Sequence, residues 1–139
     1  MGIHPWFETG DLFADRYRIV RTVGGGGMGA VYLARDERDG TVCALKLMLE
    51  TDSDEQSRLR FEREAVVLAK LSHPGIVRYF GHGYGPNGPP YLAMEWLEGE
   101  DLAQRLRRQS LSVDESVSLI AAVLDALAHA HRAGVIHRE

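Results

Sequence analysis

Alternating apolar and polar positions mark five short strands along the chain, with one helical segment among them and two after them. Residues 17–23 are the first of these strands, and a run of glycines at 24–27 interrupts the pattern. Asp39-Gly40 is a hairpin signal, because both residues tolerate a positive φ. The pattern therefore predicts an antiparallel sheet in which the glycine run joins the first two strands. The other strands are predicted at residues 30–34, 41–48, 76–80 and 91–97.

The first helical segment carries recognisable start and stop signals. The first follows Ser53, which would form a capping box with Gln56, and residues 72–75 end it. A short helix is predicted from about Asp101 to Gln109. The chain thus has one predicted helix between the third and fourth strands and another directly after the fifth strand.

The last helix is apolar around nearly its whole circumference. It starts at Ser112, which can form a capping box with Glu115, and Gly134 stops it. A helix of this kind normally has neighbours on most sides. The rest of the chain supplies few of them. We therefore expect the chain to be a fragment of a larger domain, or to need a partner.

Composition and charge are those of an ordinary soluble domain. Of the 139 residues, 45% are hydrophobic and 26% charged, and the formal net charge of −4 argues against nucleic acid as the main partner. No apolar run approaches the roughly 18 residues of a membrane span, and Trp6 stands where a myristoylation motif requires Ser or Thr. The single cysteine, Cys43, excludes an internal disulfide, and a signal peptide is not recognisable. We expect a cytoplasmic chain without a membrane segment, in which residues 1–14 are a loose leader.

Gly24, Gly26 and Gly29 form the pattern G-x-G-x-x-G, which occurs in several phosphate-binding loops and in ordinary turns. A dinucleotide-binding loop must open a helix, whereas a strand is predicted here. A P-loop requires Lys and then Ser or Thr after its last glycine, and Ala30 and Val31 occupy those positions. Two interpretations remain: a glycine hairpin whose backbone N–H groups lie over phosphates, or a mobile hairpin turn.

Further motifs follow in an order that favours the phosphate-binding hairpin. Val31 extends the glycine pattern to G-x-G-x-x-G-x-V, Lys46 ends the sequence C-A-L-K on a predicted strand, and Glu64 lies in the first helix. Residues 135–138 read V-I-H-R. In order and spacing these motifs resemble the signature set of protein kinases. The stretches that look most like the bacterial serine/threonine kinases of eukaryotic type are residues 26–36 and 71–77.

The resemblance, which extends from about residue 15 to the end, implies an α+β, protein-kinase-like fold. Its N-terminal lobe would be a five-stranded antiparallel sheet with one helix, αC, and the later helices would begin a truncated α-helical C-terminal lobe. The implied divisions are a leader (1–14), the N-terminal lobe and hinge (15–97), and the start of the C-terminal lobe up to the catalytic loop (98–139). The implied activity is transfer of the γ-phosphoryl group of ATP to protein Ser or Thr, with Mg²⁺ held by residues beyond this chain.

The resemblance also implies roles for single residues. Lys46 would hold the α- and β-phosphates, and Glu64 would pair with Lys46 and fix its direction. Met94 would be the gatekeeper of an apolar adenine slot, with hinge hydrogen bonds from the backbone of Glu95 and Leu97. The expected ATP-binding residues, with Asp101 near the ribose, are Val23, Gly24, Gly25, Gly26, Gly27, Met28, Gly29, Ala30, Val31, Ala44, Lys46, Met94, Glu95, Leu97 and Asp101.

The end of the chain departs from the family pattern. Where the family has His-Arg-Asp, this chain reads His137-Arg138-Glu139, so Glu139 stands in the place of the usual Asp base. A base must lie within about 2.6–3.2 Å of the substrate hydroxyl, and misplacement by an ångström costs on the order of a hundredfold in rate. A metal site of His129, His131 and His137 is not expected, because no cysteine or carboxylate completes the set.

Two hypotheses about function remain open at this point. In the first, the protein is an active kinase of which this chain is a truncated piece. In the second, the chain is a natural half-kinase that binds a nucleotide or a partner without catalysis. The apolar helix at 112–133 favours the first hypothesis, because a free-standing module should not expose such a surface.

Overall fold

Within residues 7–26, 29–48, 55–85 and 89–136, which the computed structural model describes, the chain forms six strands and three helices. The strands join in one antiparallel sheet in the order β1-β2-β3-β4-β6-β5, so the predicted α+β organisation is confirmed. The strands are β1 (Leu12–Phe13), β2 (Tyr17–Gly26), β3 (Gly29–Asp36), β4 (Val42–Met48), β5 (Tyr79–Tyr84) and β6 (Pro90–Glu95). The helices are α1 (Glu55–Leu68), α2 (Leu102–Arg108) and α3 (Val113–Arg132).

The hydrophobic core lies on one face of the sheet. Residues along β3 and β4 alternate in burial, as the two-residue side-chain period of a strand dictates. Tyr32 and Leu45 are opposite each other on the core face and are fully buried. The other face of these strands, which carries Val31 and Lys46, is more open. The core residues are Phe13, Tyr17, Ile19, Ala30, Tyr32, Ala34, Cys43, Leu45, Leu47, Tyr91 and Ala93.

The segment before β2 is part of the sheet. Ala14 and Asp15 have positive φ values of 52° and 51°, and they turn the chain so that β1 pairs with β2. Phe13 is fully buried, with its ring in edge contact with Phe7 and Tyr91 at centroid distances of 5.2 and 5.1 Å. The prediction of a loose leader is therefore wrong for residues 7–14, and the sheet gains a sixth strand. A strand of two residues is too short for an alternating pattern to reveal.

Strand β5 begins and ends later than the strand predicted at residues 76–80. Gly81 and Gly83 suggested a loop, because glycine is depleted in strands. The structure gives a packing reason for the second of them: a Cβ at Gly83 would lie 2.9 Å from the Oη of Tyr91. The large ring of Tyr91 on β6 thus requires a glycine in the adjacent strand.

Helix α1 lies against β5. The ring of Phe61 makes edge contacts with the rings of His82 and Tyr84, at centroid distances of 5.7 and 5.8 Å. Ala65, one turn after Phe61, is buried. The predicted helix start at Ser53 lies outside the described residues. These contacts fix which side of the sheet the helix covers.

The two later helices begin as predicted. Asp101 accepts a hydrogen bond from the backbone N–H of Gln104 at 2.7 Å and forms a capping box with it. Ser112 and Glu115 form the second capping box, with hydrogen bonds of 2.8 and 3.1 Å. Gly134, just beyond the end of α3, has a φ of +82°, as a glycine stop requires.

Helix α3 is largely exposed in the described structure. None of its residues is buried, and Val113 and Val117 are 79% and 64% exposed. The described part of the chain thus supplies few neighbours for its apolar surface, as predicted. Over the same residues, the structure has no helix with both the length and the apolar character that crossing a membrane requires.

Candidate nucleotide-binding site

Four of the expected site residues lie on one open face of the sheet. The register places Val31, Lys46 and Leu92 opposite one another in β3, β4 and β6. The neighbouring row pairs Ala44 with Met94. Opposite residues of antiparallel strands share a face, and the two-residue period puts Ala44 on the face of Lys46. The result is a patch of Val31, Ala44, Lys46 and Met94, in which one amine stands among apolar side chains; we call it the Lys46 patch.

The glycine hairpin between β2 and β3 borders this patch, because Gly24 pairs with Val31. Gly29 is required by the fold: its φ is +139°, and a Cβ there would lie 2.0 Å from the carbonyl oxygen of Leu47. A Cβ at Gly24 would meet nothing within 4 Å, and one at Gly25 would make only ordinary contact at 3.5 Å. Packing within the described chain does not account for these two glycines. Their lack of side chains leaves room for a ligand above the hairpin.

The remaining hairpin residues differ in exposure and in the face of the sheet that they occupy. Val23 is exposed at an irregularity in the β2–β3 pairing. Ala30 is buried on the core face opposite Leu47, so its side chain points away from the Lys46 patch. Gly27 and Met28 lie outside the described residues, and their expected contacts with ATP stay predictions.

Helix α1 lies on the same side of the sheet as Lys46. The ring of His82, which Phe61 contacts, is opposite Leu92 on β6. Leu92 is in turn opposite Lys46 on β4. Glu64, which follows Phe61 by less than one turn, is exposed. Counting described residues only, neither Lys46 nor Glu64 has an ion-pair partner within 4.0 Å, so their pairing stays a prediction.

The chain leaves the sheet after Glu95, where the hinge is expected. The backbone N–H of Glu95 donates to the carbonyl of Arg78 at 2.8 Å, and its Oε2 accepts from the N–H of Arg78 at 3.1 Å. Trp96 donates to Glu98 at 2.7 Å. Leu97 is 58% exposed, and its backbone N–H and C=O form no hydrogen bond with any residue that the structure describes. An adenine base needs free groups of this kind at one edge.

Asp101 caps helix α2 through its Oδ1. Its expected place near a ribose is not tested by this contact. His137, Arg138 and Glu139 lie outside the described residues, so the base remains a prediction as well. Across the described ranges, no group of three or more His, Cys, Asp or Glu side chains is placed to hold a metal ion.

The opposite face of the sheet holds features that the sequence did not reveal. Arg16 donates from Nε and Nη2 to the Oδ2 of Asp36 at 2.9 and 2.6 Å, and this bond lowers the pKa of Asp36. A cavity of about 440 Å³ adjoins the pair and is lined in part by Cys43 and Phe80. Burial raises the pKa of Cys43 to about 11, which favours a packing role for this thiol over a reactive one. The pair joins residues 20 positions apart, and no local pattern signals such a contact.

Comparisons with known proteins bear on this geometry. The family model described as Protein kinase domain matches residues 17–139. The probable serine/threonine-protein kinase pknA2 of Bifidobacterium longum is 41% identical over 137 residues, and the serine/threonine-protein kinase pkn3 of Myxococcus xanthus is 39% identical over 133 residues. These matches cover 95% and 94% of this chain but 18% and 24% of the relatives. The chain thus spans about a fifth of the length of these relatives.

Solved structures show the same fold. The PknI kinase domain of Mycobacterium tuberculosis is similar to this chain with a TM-score of 0.83 and 34% sequence identity. The match covers 96% of this chain and 54% of that structure, so it takes in the sheet and the helices described above. The fold expected from the sequence is thereby confirmed.

Proposed function

This chain belongs to the protein kinase family, and from that premise we propose that it forms the ATP-binding part of a serine/threonine protein kinase. The protein that contains it transfers the γ-phosphoryl group of ATP to Ser or Thr of a protein substrate. The observation that carries the proposal is the Lys46 patch, in which one amine and three apolar side chains share an open face beside the glycine hairpin.

The glycine hairpin and Lys46 bind the phosphates of ATP in this proposal. A lysine ammonium is a compact cation, well suited to the α- and β-phosphate oxygens. Gly24 and Gly25 present backbone above the patch without side chains in the way. The adenine then lies over Val31 and Ala44, with the free backbone groups of Leu97 at its edge.

Glu64 orients the side chain of Lys46 in this proposal. In the family, the pair of the strand lysine with the helix glutamate must be in place for phosphoryl transfer. Here α1 lies on the correct side of the sheet, while the pair itself is open. We propose that a small shift of α1 brings the carboxylate of Glu64 to the amine of Lys46 when ATP binds.

The metal and the base belong to the segment around and beyond the catalytic loop. Family members hold Mg²⁺ with an Asn of that loop and the Asp of Asp-Phe-Gly, and these positions follow residue 139. Glu139 is the base in this proposal, with a carboxylate one methylene further from the backbone than the usual Asp.

ATP binding tests the proposal directly. Lys46→Ala should weaken the affinity of the 139-residue chain for a fluorescent ATP analogue by about tenfold or more, because a charge-assisted hydrogen bond to phosphate is lost. Lys70→Ala is the matched control, since Lys70 is exposed in the turn after α1 and should leave the affinity unchanged. Both variants are checked by circular dichroism for an intact fold. Equal affinities for the wild type and Lys46→Ala would overturn the proposed site.

A second function is favoured by two observations. The open Lys46–Glu64 pair and the Glu in place of the catalytic Asp are what a nucleotide-binding module without catalysis would show. Phosphoryl transfer from radiolabelled ATP to a mixture of Ser- and Thr-containing proteins separates the two functions. Transfer by the protein that contains this chain, abolished by Lys46→Ala, supports the kinase. ATP binding in that protein without transfer supports the module.

A further inference from the structure

The segment that follows β6 leaves the sheet without support from its own backbone. The pairing of β6 with β4 ends where Glu95 is opposite Cys43. In the described parts of the chain, residues 96–100 form no backbone–backbone hydrogen bond. Leu97, whose N–H and C=O would meet the edge of the adenine, lies in this segment. The orientation of its backbone therefore depends on the side-chain contacts of its neighbours.

Trp96 makes two such contacts. Its Nε1 donates a hydrogen bond to the Oε1 of Glu98 at 2.7 Å. The guanidinium of Arg21 lies over the same ring, 5.4 Å from its centroid. A cation in this position is attracted by the electron-rich face of the indole. The ring is thus held at its edge by a carboxylate and on its face by a cation from another strand; we call the contact of Arg21 with Trp96 the bridge.

Arg21 belongs to the face of the sheet that carries the Lys46 patch. It is opposite Leu33 on β3, and Leu33 is opposite Ala44 on β4. Ala44 is in turn opposite Met94 on β6. Opposite residues of antiparallel strands share a face, so Arg21 stands in the same row as two residues of the patch. Two strands, β3 and β4, separate β2 from β6, and the bridge therefore crosses the patch from one side to the other.

Neither core packing nor an ion pair explains an arginine at this position. Arg21 is exposed, and over the described ranges no carboxylate lies within 4.0 Å of its guanidinium. Val23, two residues further along β2, is an expected wall of the adenine slot. In the proposed site the bridge thus ties the strand above the base to the segment at the edge of the base. A restraint at that place acts on the adenine and not on the phosphates.

We propose that Arg21 is a positioning residue that acts through Trp96, holding residues 96–98 so that the N–H and C=O of Leu97 face the adenine. The inference rests on the proposed ATP site and adds a residue outside the expected ATP-binding set. A segment that is already held in its bound conformation loses less freedom when the ligand binds. The bridge therefore raises the affinity for the base, while Lys46 raises the affinity for the phosphates.

Competition against a fluorescent ATP analogue on the 139-residue chain separates these two contributions. The competitors are adenosine and inorganic tripolyphosphate. Arg21→Met keeps an unbranched side chain without the charge, and it should weaken adenosine binding about threefold, as expected for the loss of a partly exposed cation–π contact. It should leave tripolyphosphate binding unchanged, whereas Lys46→Ala should do the reverse. Arg38→Met, in the exposed turn between β3 and β4, removes the same charge and should change neither.

A double-mutant cycle tests whether Arg21 acts through Trp96. Trp96→Ala should weaken adenosine binding at least as much as Arg21→Met does. In the Trp96→Ala background, Arg21→Met should have no further effect. Arg21→Lys keeps a cation that can lie over the ring, so it should recover most of the adenosine affinity. An Arg21→Lys variant as weak as Arg21→Met would overturn the role of the cation.

The outcomes separate this inference from the proposed function. If Arg21→Met weakens adenosine and tripolyphosphate equally, Arg21 does not act on the base and its positioning role is overturned. If its effect is the same with and without Trp96, the action through the indole is overturned. If Lys46→Ala weakens tripolyphosphate binding and no Arg21 variant changes adenosine binding, the inference fails and the ATP site stands. If Lys46→Ala leaves tripolyphosphate binding unchanged, the proposed function fails and the inference falls with it.

Discussion

Gly29 and Gly24 stand on the same hairpin, yet they are glycines for different reasons. At Gly29 the φ of +139° and the carbonyl of Leu47 exclude a side chain. At Gly24 the backbone conformation is ordinary and the space beside it is open. One glycine therefore serves the fold, and the other serves the ligand that we propose.

Alanine at the two positions should separate these roles. Gly29→Ala should lower the free energy of unfolding by about 2–4 kcal/mol, because a Cβ there meets backbone at 2.0 Å in a strained conformation. Gly24→Ala should change it by less than about 1 kcal/mol. Urea denaturation followed by circular dichroism measures both. Similar losses for the two variants would contradict the distinction.

At the scale of the elements, the ion pair of Arg16 and Asp36 joins the turn before β2 to the end of β3. The hydrogen bond from Arg16 holds the pKa of Asp36 below its ordinary value of 3.8. A carboxylate whose pKa is lowered in the folded state stabilises that state above the unfolded pKa. The stabilisation is lost as the pH falls towards the folded-state pKa.

Asp36→Asn should therefore flatten the pH dependence of stability. The wild type should lose stability more steeply than the variant as the pH falls below about 5, as measured by urea denaturation at a series of pH values. Glu37→Gln, which removes the exposed pair with Arg18, is the matched comparison. Its effect should be smaller and should vanish at high salt, because exposed pairs are screened. Parallel curves for the wild type and Asp36→Asn would rule out the pair as a source of acid sensitivity.

Features that depend on residues close together in the sequence could be predicted from it. Features that depend on contacts between distant residues could not. The cap of α3 was predicted because Ser112 bonds to a group three residues away. For α2 only the approximate start at Asp101 was predicted, and its capping box was not. Strand β5 was placed too early because one of its glycines, Gly83, has a tertiary reason, the ring of Tyr91. Strand β1 was missed because the burial of Phe13 depends on partners far along the chain.

On the scale of the whole molecule, α3 exposes an apolar stripe. Val113, Val117, Ile120 and Leu124 recur at helical spacing and are each more than half exposed. Contiguous apolar surface of this kind is uncommon on soluble monomers. The stripe thus sets how the chain behaves in solution.

The 139-residue chain should therefore self-associate. We expect light scattering at micromolar concentrations to report oligomers, because association covers the stripe on α3. Replacing Val117 and Ile120 with Ser should raise the fraction of monomer. Serine at Val20 and Val42, which are exposed in the sheet, is the control and should not raise it. A monodisperse wild-type monomer would show that the stripe does not drive association.

The residues of the candidate site could be proposed from the sequence, but their arrangement in space could not. The resemblance implied that Ala44 and Lys46 belong to one site, and the two-residue period of β4 puts them on one face of the sheet. Whether Glu64 pairs with Lys46 depends on the docking of α1, which rests on the contacts of Phe61 with His82 and Tyr84. Those contacts join distant segments, so no local pattern could decide it.

The alternation along β4 has a consequence for how this chain can vary. Lys46 sits between Leu45 and Leu47, so a slip of one position would bury the amine in the core and turn two leucines outward. Misregistration would then disrupt both the fold and the phosphate contact that we propose for Lys46. Substitutions along this strand should therefore be tolerated only if they keep apolar residues at the core-facing positions.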